Sequence, residues 1–225
     1  MTIRRKMKGL AKAVSPYFAV FVLAHSAGAE NHFVVVVPRY HDKYSAFVTG
    51  LEAGQTSFNY TEFRESFLES EEFKAASKQI PDLSTLRKEM YDLMRKSKYA
   101  EIIDITKKML SIDYSDMEAH KILHRTYKIL GDMPNSKKYH DIEFGLLNSI
   151  IRKGDGKTCQ TAWPVIQINE EYFILEMLGA KLQKQSIDNT GGACDKMEVQ
   201  TDQGKTIYYF EINKVFKGYS KQGSH

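Results

Sequence analysis

Gly154-Asp155-Gly156-Lys157-Thr158 ends in the Gly-Lys-Thr triplet with which a phosphate-binding loop wraps backbone N–H groups and a lysine around a nucleotide. That loop needs a glycine five positions before Gly156, where this chain has Ile151, and it runs strand, loop, helix. Here a helical pattern precedes and a strand pattern follows. The segment therefore reads as a hydrogen-bonded turn in which Asp155 satisfies neighbouring backbone N–H groups. His120 and His124 stand four apart, a spacing that puts two imidazoles on one helix face as a metal site requires. Lys121 occupies the place of the glutamate that acts as general base in H-E-x-x-H metalloproteases, so hydrolytic zinc chemistry is not expected. A weak metal site completed by His140 or Glu118 fits the spacing, and so does the plainer reading of two partly exposed histidines. No metal or other cofactor is expected.

The carboxylates offer two adjacent pairs, Glu71-Glu72 and Glu170-Glu171. Neighbours on a helix point in different directions, so adjacency makes a poor acid/base dyad, and first-turn helix charge explains Glu170 and Glu171 more simply. An acidic site assembled from distant positions would draw on Asp155, Lys157, Glu171 and Asp195 in a cleft between helices and sheet. No G-x-S-x-G elbow, spaced cysteine–histidine zinc pattern or dinucleotide fingerprint occurs, and no catalytic residue is assigned. Cys159 and Cys194 are the chain's two cysteines. In an oxidising compartment they are natural disulfide partners; the alternative is two separate small buried thiols, because spacing does not show that they meet.

The elements that carry these residues change character once. Apolar residues follow helical spacing from Tyr40 to about Lys153 and largely strand spacing from Thr161 onward. Tyr40, Tyr44, Phe47, Val48 and Leu51 mark a first helix; Tyr60, Phe63, Phe67 and Leu68 mark a second. Residues Glu69 to Pro81 are polar and weakly periodic and read as a connection. A third helix is expected from Asp82 or Ser84 through Met94, and a fourth over Tyr99 to Leu110. Ser115-Asp116-Met117-Glu118 has the S-x-x-E form of a capping box, opening a helix that ends at Gly131. Asp132 follows, then a helix running to Gly154.

In the second part, Ala162 to Ile168 reads as a strand with Pro164 at an edge or at its beginning. Asn169 would cap a short helix over Glu170 to Leu178, ended by Gly179. Strands are expected at Lys181–Ile187, Lys196–Thr201 and Thr206–Asn213, the last two joined by the Asp202-Gln203-Gly204-Lys205 turn. The fold class is α+β, with a tetratricopeptide-like helical layer followed by a small, mostly antiparallel sheet that carries one short helix.

The helical hairpin ending Leu130-Gly131-Asp132, the Gly154-Asp155-Gly156-Lys157 turn with Thr161-Ala162, Glu170-Glu171-Tyr172 and the closing Ile207-Tyr208-Tyr209-Phe210-Glu211-Ile212 resemble the bacterial domain of unknown function DUF4919. The resemblance runs from about Tyr60 to Phe216 and implies the fold, a signal peptide in many members, and no established activity. The chain departs from the family pattern in an extension over Asn31 to Gln55, which includes the Phe33-Val34-Val35-Val36-Val37 run, read either as an added strand or as flanking sequence.

At the start of the chain, Arg4, Arg5, Lys6, Lys8 and Lys12 come without an acidic residue and precede the apolar run Ala13 to Ala24. Ala27-Gly28-Ala29 then supplies the small-x-small pattern of signal-peptidase cleavage before Glu30. The run is shorter than the roughly 20 residues of a spanning helix, although an uncleaved N-terminal anchor is the alternative. The organisation expected is a signal peptide over 1–29, an extension over 30–59, a repeat-like helical part over 60–153, an α/β part over 154–216 and a tail over 217–225. The leader holds five of the 32 basic residues and none of the 28 acidic ones, so its removal leaves 27 against 28, a net charge of −1. That balance gives no support to binding nucleic acid or an anionic membrane by counterion release. The expectation is an exported, periplasmic or secreted protein with no stable membrane anchor after cleavage, binding a protein or peptide partner with its helical layer. An extracytoplasmic hydrolase is the alternative.

Overall fold

Capping side chains set most of the helix starts. Asp42 accepts from the backbone of Ser45 at 2.7 Å and opens α1 (Lys43–Glu52); Asn59 opens α2 (Tyr60–Glu69). Tyr44, Val48 and Leu51 of α1 and Phe63 and Phe67 of α2 turn inward, where Tyr44 stacks on Phe63 with centroids 5.4 Å apart. The computed structural model describes residues 33–190 and 192–215, so the signal peptide expected over 1–29 and the tail expected over 217–225 lie outside the described residues.

Residues 69–81, expected to be a connection, are helical instead. The helices are α3 (Glu71–Lys78) and the start of α4 (Ile80–Arg95). The Ser70 hydroxyl accepts from the Phe73 backbone, Glu71 and Glu72 sit at the positive end of α3, and Lys78 sits at its negative end. These end effects and the packing of Phe73 on Phe67, centroids 5.2 Å apart, stabilise a helix too polar to announce itself by periodicity. Pro81 falls in the first turn of α4, where its missing N–H costs nothing.

α5 (Tyr99–Ile112) and α6 (Met117–Ile129) follow. The capping box expected of Ser115 and Glu118 does not form. Asp116 is the cap, accepting from the Ala119 backbone at 3.1 Å, while the Ser115 hydroxyl donates to Asp113 and Glu118 reaches Arg87. Gly131 takes a left-handed conformation (φ +77°) that a side chain would strain, and Asp132 caps α7 (Met133–Ile151), which returns along α6.

A 3₁₀ turn (Cys159–Thr161) leads to β1 (Trp163–Pro164), α8 (Ile168–Met177), β2 (Lys181–Asp188), β3 (Cys194–Thr201) and β4 (Gly204–Glu211). The sheet order is β1-β4-β3-β2, with β1 parallel to β4 and the other pairs antiparallel, so the α+β class is the observed one. β3 and β4 form a hairpin closed by the Thr201–Gly204 pair. The strand expected over 162–168 shrinks to two residues. Pro164 has no N–H to give, Val165 makes one further bond to Glu211, and the Ile166 N–H is taken by the Glu170 carboxylate at 2.7 Å. The chain thus leaves the sheet and enters α8 two residues early, with Gln167, not Asn169, at the cap position.

The Phe33–Val37 run is extended but joins no sheet. Its Phe33 and Val36 N–H groups donate to the Asp104 carboxylate and the Ser111 hydroxyl of α5, both at 2.8 Å, and Val35 is buried. One apolar core extends from Val35 through all the long helices to Met197, Val199, Phe210 and Val215. Cys159 and Cys194 are joined by a disulfide with Cα atoms 5.8 Å apart, tying the 3₁₀ turn to the first residue of β3. Among the described residues no helix is long and apolar enough to cross a membrane.

Candidate functional site

Of the four residues expected to line an acidic cleft, the fold brings two together. Asp195 shares the inner face of β3 with Met197 and Val199, and Glu171 in the first turn of α8 meets it. Glu171 is 0% exposed and neither of its oxygens faces a donor. The hydrogen bond open to it is the one it makes to Asp195 by holding a proton itself. Burial, then the charges of Asp195 and Glu170, push the Glu171 carboxyl up to about 9. Asp195 in turn accepts from the Gln185 amide at 2.7 Å, and the Gln185 carbonyl accepts from the Tyr172 hydroxyl at 3.2 Å. The result is a proton-sharing carboxyl pair sealed between helix and sheet.

Asp155 and Lys157 lie elsewhere, on an exposed turn. Asp155 accepts from the Thr161 hydroxyl at 2.6 Å and the Lys157 backbone at 3.0 Å, the self-satisfied turn its sequence suggests, and these bonds hold its carboxyl below the usual range. Gly156 is left-handed (φ +67°), and a Cβ there would stand 2.7–2.8 Å from the Trp163 ring. The turn is a packing device beneath that indole. Lys157 borders a hollow of about 880 Å³ over the end of the β3–β4 hairpin, whose lining mixes polar and apolar groups.

His120 and His124 separate as well, while the His124 and His140 rings meet edge to face with centroids 4.9 Å apart. His120 is fully buried, its Nε2 2.7 Å from the Tyr114 carbonyl oxygen, and burial pushes it down to about 4. His124 faces the buried Glu143 at 3.0 Å instead. Glu118 is engaged with Arg87 and Tyr91. Among the described residues no group of three or more His, Cys, Asp or Glu side chains is placed to hold a metal ion.

Glu170, next to Glu171, has the opposite environment. Arg64 of α2 grips it bidentately, with Nε–Oε1 at 2.8 Å and Nη2–Oε2 at 2.6 Å, and both side chains are buried. The same guanidinium reaches the Pro164 carbonyl and the Ser149 hydroxyl. This ion pair joins α2 to the entrance of α8 and so fixes one wall of a groove that sequence reading did not find.

The groove runs between α3–α4 and the N-terminus of α8 and encloses about 290 Å³. Its walls are apolar, from Phe73, Ala76, Ile80 and Leu83 on one side and Ile166 and Ile168 on the other. Asp113, only 2% exposed, lies in its lining and accepts from the Ser115 backbone and hydroxyl and from Gln167. Burial and the charge of Asp116 push the Asp113 carboxyl up to about 6 against these three donors. A second hollow of about 300 Å³ continues the groove, sharing Arg87 and Asn169 with the first. The available signal was the apolar spacing of Phe73, Ala76, Ile80 and Leu83, which becomes visible once α3 is recognised as a helix.

No curated protein and no solved structure matches the chain. A family model does match, over residues 42–221, and it takes in α1 as well as the helices and sheet, so the departure read over residues 31–55 stops short of residue 42. A match over that much of the chain places this protein in the family described as a domain of unknown function, DUF4919.

Proposed function

We propose that this protein is exported and works outside the cytoplasm as a non-enzymatic docking module that receives a peptide segment of a partner in the groove between α3–α4 and α8. The groove itself carries the proposal: a hollow of about 290 Å³ with apolar walls and a few fixed polar groups is the form a binding site takes. Both walls are braced, one by the Phe73–Phe67 contact and the other by the Arg64–Glu170 ion pair, which favours a preformed site. Export is supported by the basic and apolar leader with its Ala27-Gly28-Ala29 junction and agrees with the Cys159–Cys194 disulfide.

The hydrolase reading has less support. The acids that meet, Glu171 and Asp195, are sealed between α8 and the sheet and do not line the groove, and Asp155 bonds within its own turn. A general acid must reach the reacting atom, and this pair has no space beside it in the groove for a substrate.

The test has two arms. Expressed with its leader in a bacterial host, the protein should be recovered outside the cytoplasm with Glu30 at its N-terminus; intact Met1 in the soluble cytoplasm would overturn export. As bait in its own envelope extract, the wild type should retain a partner that Ile80→Glu releases. Equal retention by the two would remove the groove from the proposal.

A further inference from the structure

The polar groups of the groove narrow what it can receive. Asp113 Oδ1 already accepts two hydrogen bonds from Ser115, but Oδ2 accepts one, from Gln167, and has room for another. Asn169 Oδ1, bordering the same hollow, is buried without a donor. Two acceptors with unused capacity therefore belong to side chains in the lining of an apolar chamber.

The charges around it point the same way. Asp113, Asp116, Glu118, Glu170 and Glu176 border the two joined hollows, and among the described residues lining them Arg87 is the one cation. Arg87 is committed to Asp116 and Glu118. Arg64 and Lys121 reach in to neutralise Glu170 and Glu176. No such cation bonds to Asp113, and behind it stand Glu72 and Asp42; burial, then the charges of Asp113 and Asp42, raise the Glu72 carboxyl above its ordinary value. The lining thus has acceptors and negative charge in excess, with apolar walls beside them.

We infer that the groove selects a peptide segment in which an apolar side chain sits next to a lysine or arginine, the apolar group lying between α3–α4 and Ile166 and the cation bonding Asp113 Oδ2 and Asn169 Oδ1. This inference rests on the docking reading above and adds the chemistry of the partner. An ammonium or guanidinium group supplies the donors that both acceptors lack and offsets the local negative charge, whereas an acidic or purely apolar neighbour does neither.

The test is calorimetric titration of the purified protein at pH 7 with three capped pentapeptides in which leucine alternates with lysine, norleucine or glutamate. The lysine peptide is expected to bind at least about tenfold more tightly than the norleucine peptide, with the glutamate peptide weakest. In Asp113→Asn the ratio of lysine-peptide to norleucine-peptide affinity should fall toward one, and a ratio kept at the wild-type value would overturn the assignment of Asp113 as the cation's acceptor. Ser77→Trp, which fills the groove from its rim, should abolish all binding while keeping the wild-type circular dichroism; Ser84→Trp replaces it if it does not fold. Equal or tighter binding of the norleucine or glutamate peptide, lost in Ser77→Trp, would overturn the cationic preference and leave the docking site standing. Binding that survives the groove-filling variant, or no binding of any peptide to the wild type, would overturn both.

Discussion

The two carboxyl clusters of this protein, Glu171–Asp195 under α8 and Asp113 in the groove, both hold acids raised by burial, yet they differ in what they can do. Glu171 has no donor and no adjoining groove, so its cost is relieved by keeping a proton and sharing it with Asp195. Asp113 has three donors and an adjoining hollow. The lesson is that a displaced carboxyl marks a site only when space for a ligand comes with it; without that space it marks a pH-dependent joint in the fold.

The sharpest way to break the comparison is to remove the brace that both regions share. Arg64→Leu leaves Glu170 as a buried charge without its partner at the entrance of α8, and it should lower stability by roughly 3–5 kcal/mol in urea denaturation. A loss below about 1 kcal/mol would mean that water reaches Glu170 and that the groove wall is not fixed as described. Next in size is the disulfide. Changing Cys159 and Cys194 together to serine frees the 3₁₀ turn from β3 and should cost about 3 kcal/mol, read as a melting temperature lower by several degrees. An unchanged melting temperature would show that the sheet side needs no tether.

The carboxyl clusters are then compared directly by pH. Because the Glu171 folded value, about 9, lies above its ordinary 4.5, the folded state holds the proton more tightly than the unfolded chain. Its contribution is fully present below pH 4.5, declines as pH rises through that window and is gone above 9. Glu171→Gln, which keeps the shape and stays neutral, should therefore stabilise the protein by roughly 2–4 kcal/mol at pH 8.5 and little at pH 4. Equal curves for variant and wild type between pH 5 and 9 would place a charged, hydrated carboxylate at position 171. The smallest effect is expected at Asp113, whose value is raised only to about 6. Its contribution is lost over pH 3.8 to 6, and Asp113→Asn should gain about 1 kcal/mol at pH 8.5, because the gain is offset by weaker bonds from Ser115 and Gln167. A larger gain at Asp113 than at Glu171 would reverse the assignment of which cluster is closed.

Helix and strand existence was readable where period and punctuation agree. Gly131 and Gly179 end helices as their position suggests, the hairpin turns within the expected Asp202-Gln203-Gly204-Lys205 segment although Gly204 and Lys205 already belong to β4, and Pro164 lies on the edge strand. Reading failed where a neighbouring side chain competes for a backbone N–H or a capping hydroxyl, or packs on a helix too polar to show its period. α3 is polar and is held by Ser70 and by Phe67 from another helix. Ser115 loses its capping role to Asp116 because Asp113 claims its hydroxyl. β1 stops after two residues because Glu170 captures the next free N–H.

Residue order alone determined that helices come first, that a mostly antiparallel sheet follows, that one pair of cysteines is available for a bridge, and that charge is nearly balanced, with 32 basic against 28 acidic residues. These follow from local periodicity, turn chemistry and counting, which need no knowledge of distant neighbours. Tertiary structure alone decided that Glu171 meets Asp195 while Asp155 and Lys157 stay apart, that Glu170 and Glu171 have opposite fates, and that α3 and α8 face each other across a groove. Those outcomes depend on which side chain from another part of the chain arrives to fill, pair or leave empty a given space. Arg64 is 106 residues from Glu170, and no spacing rule operates over that distance.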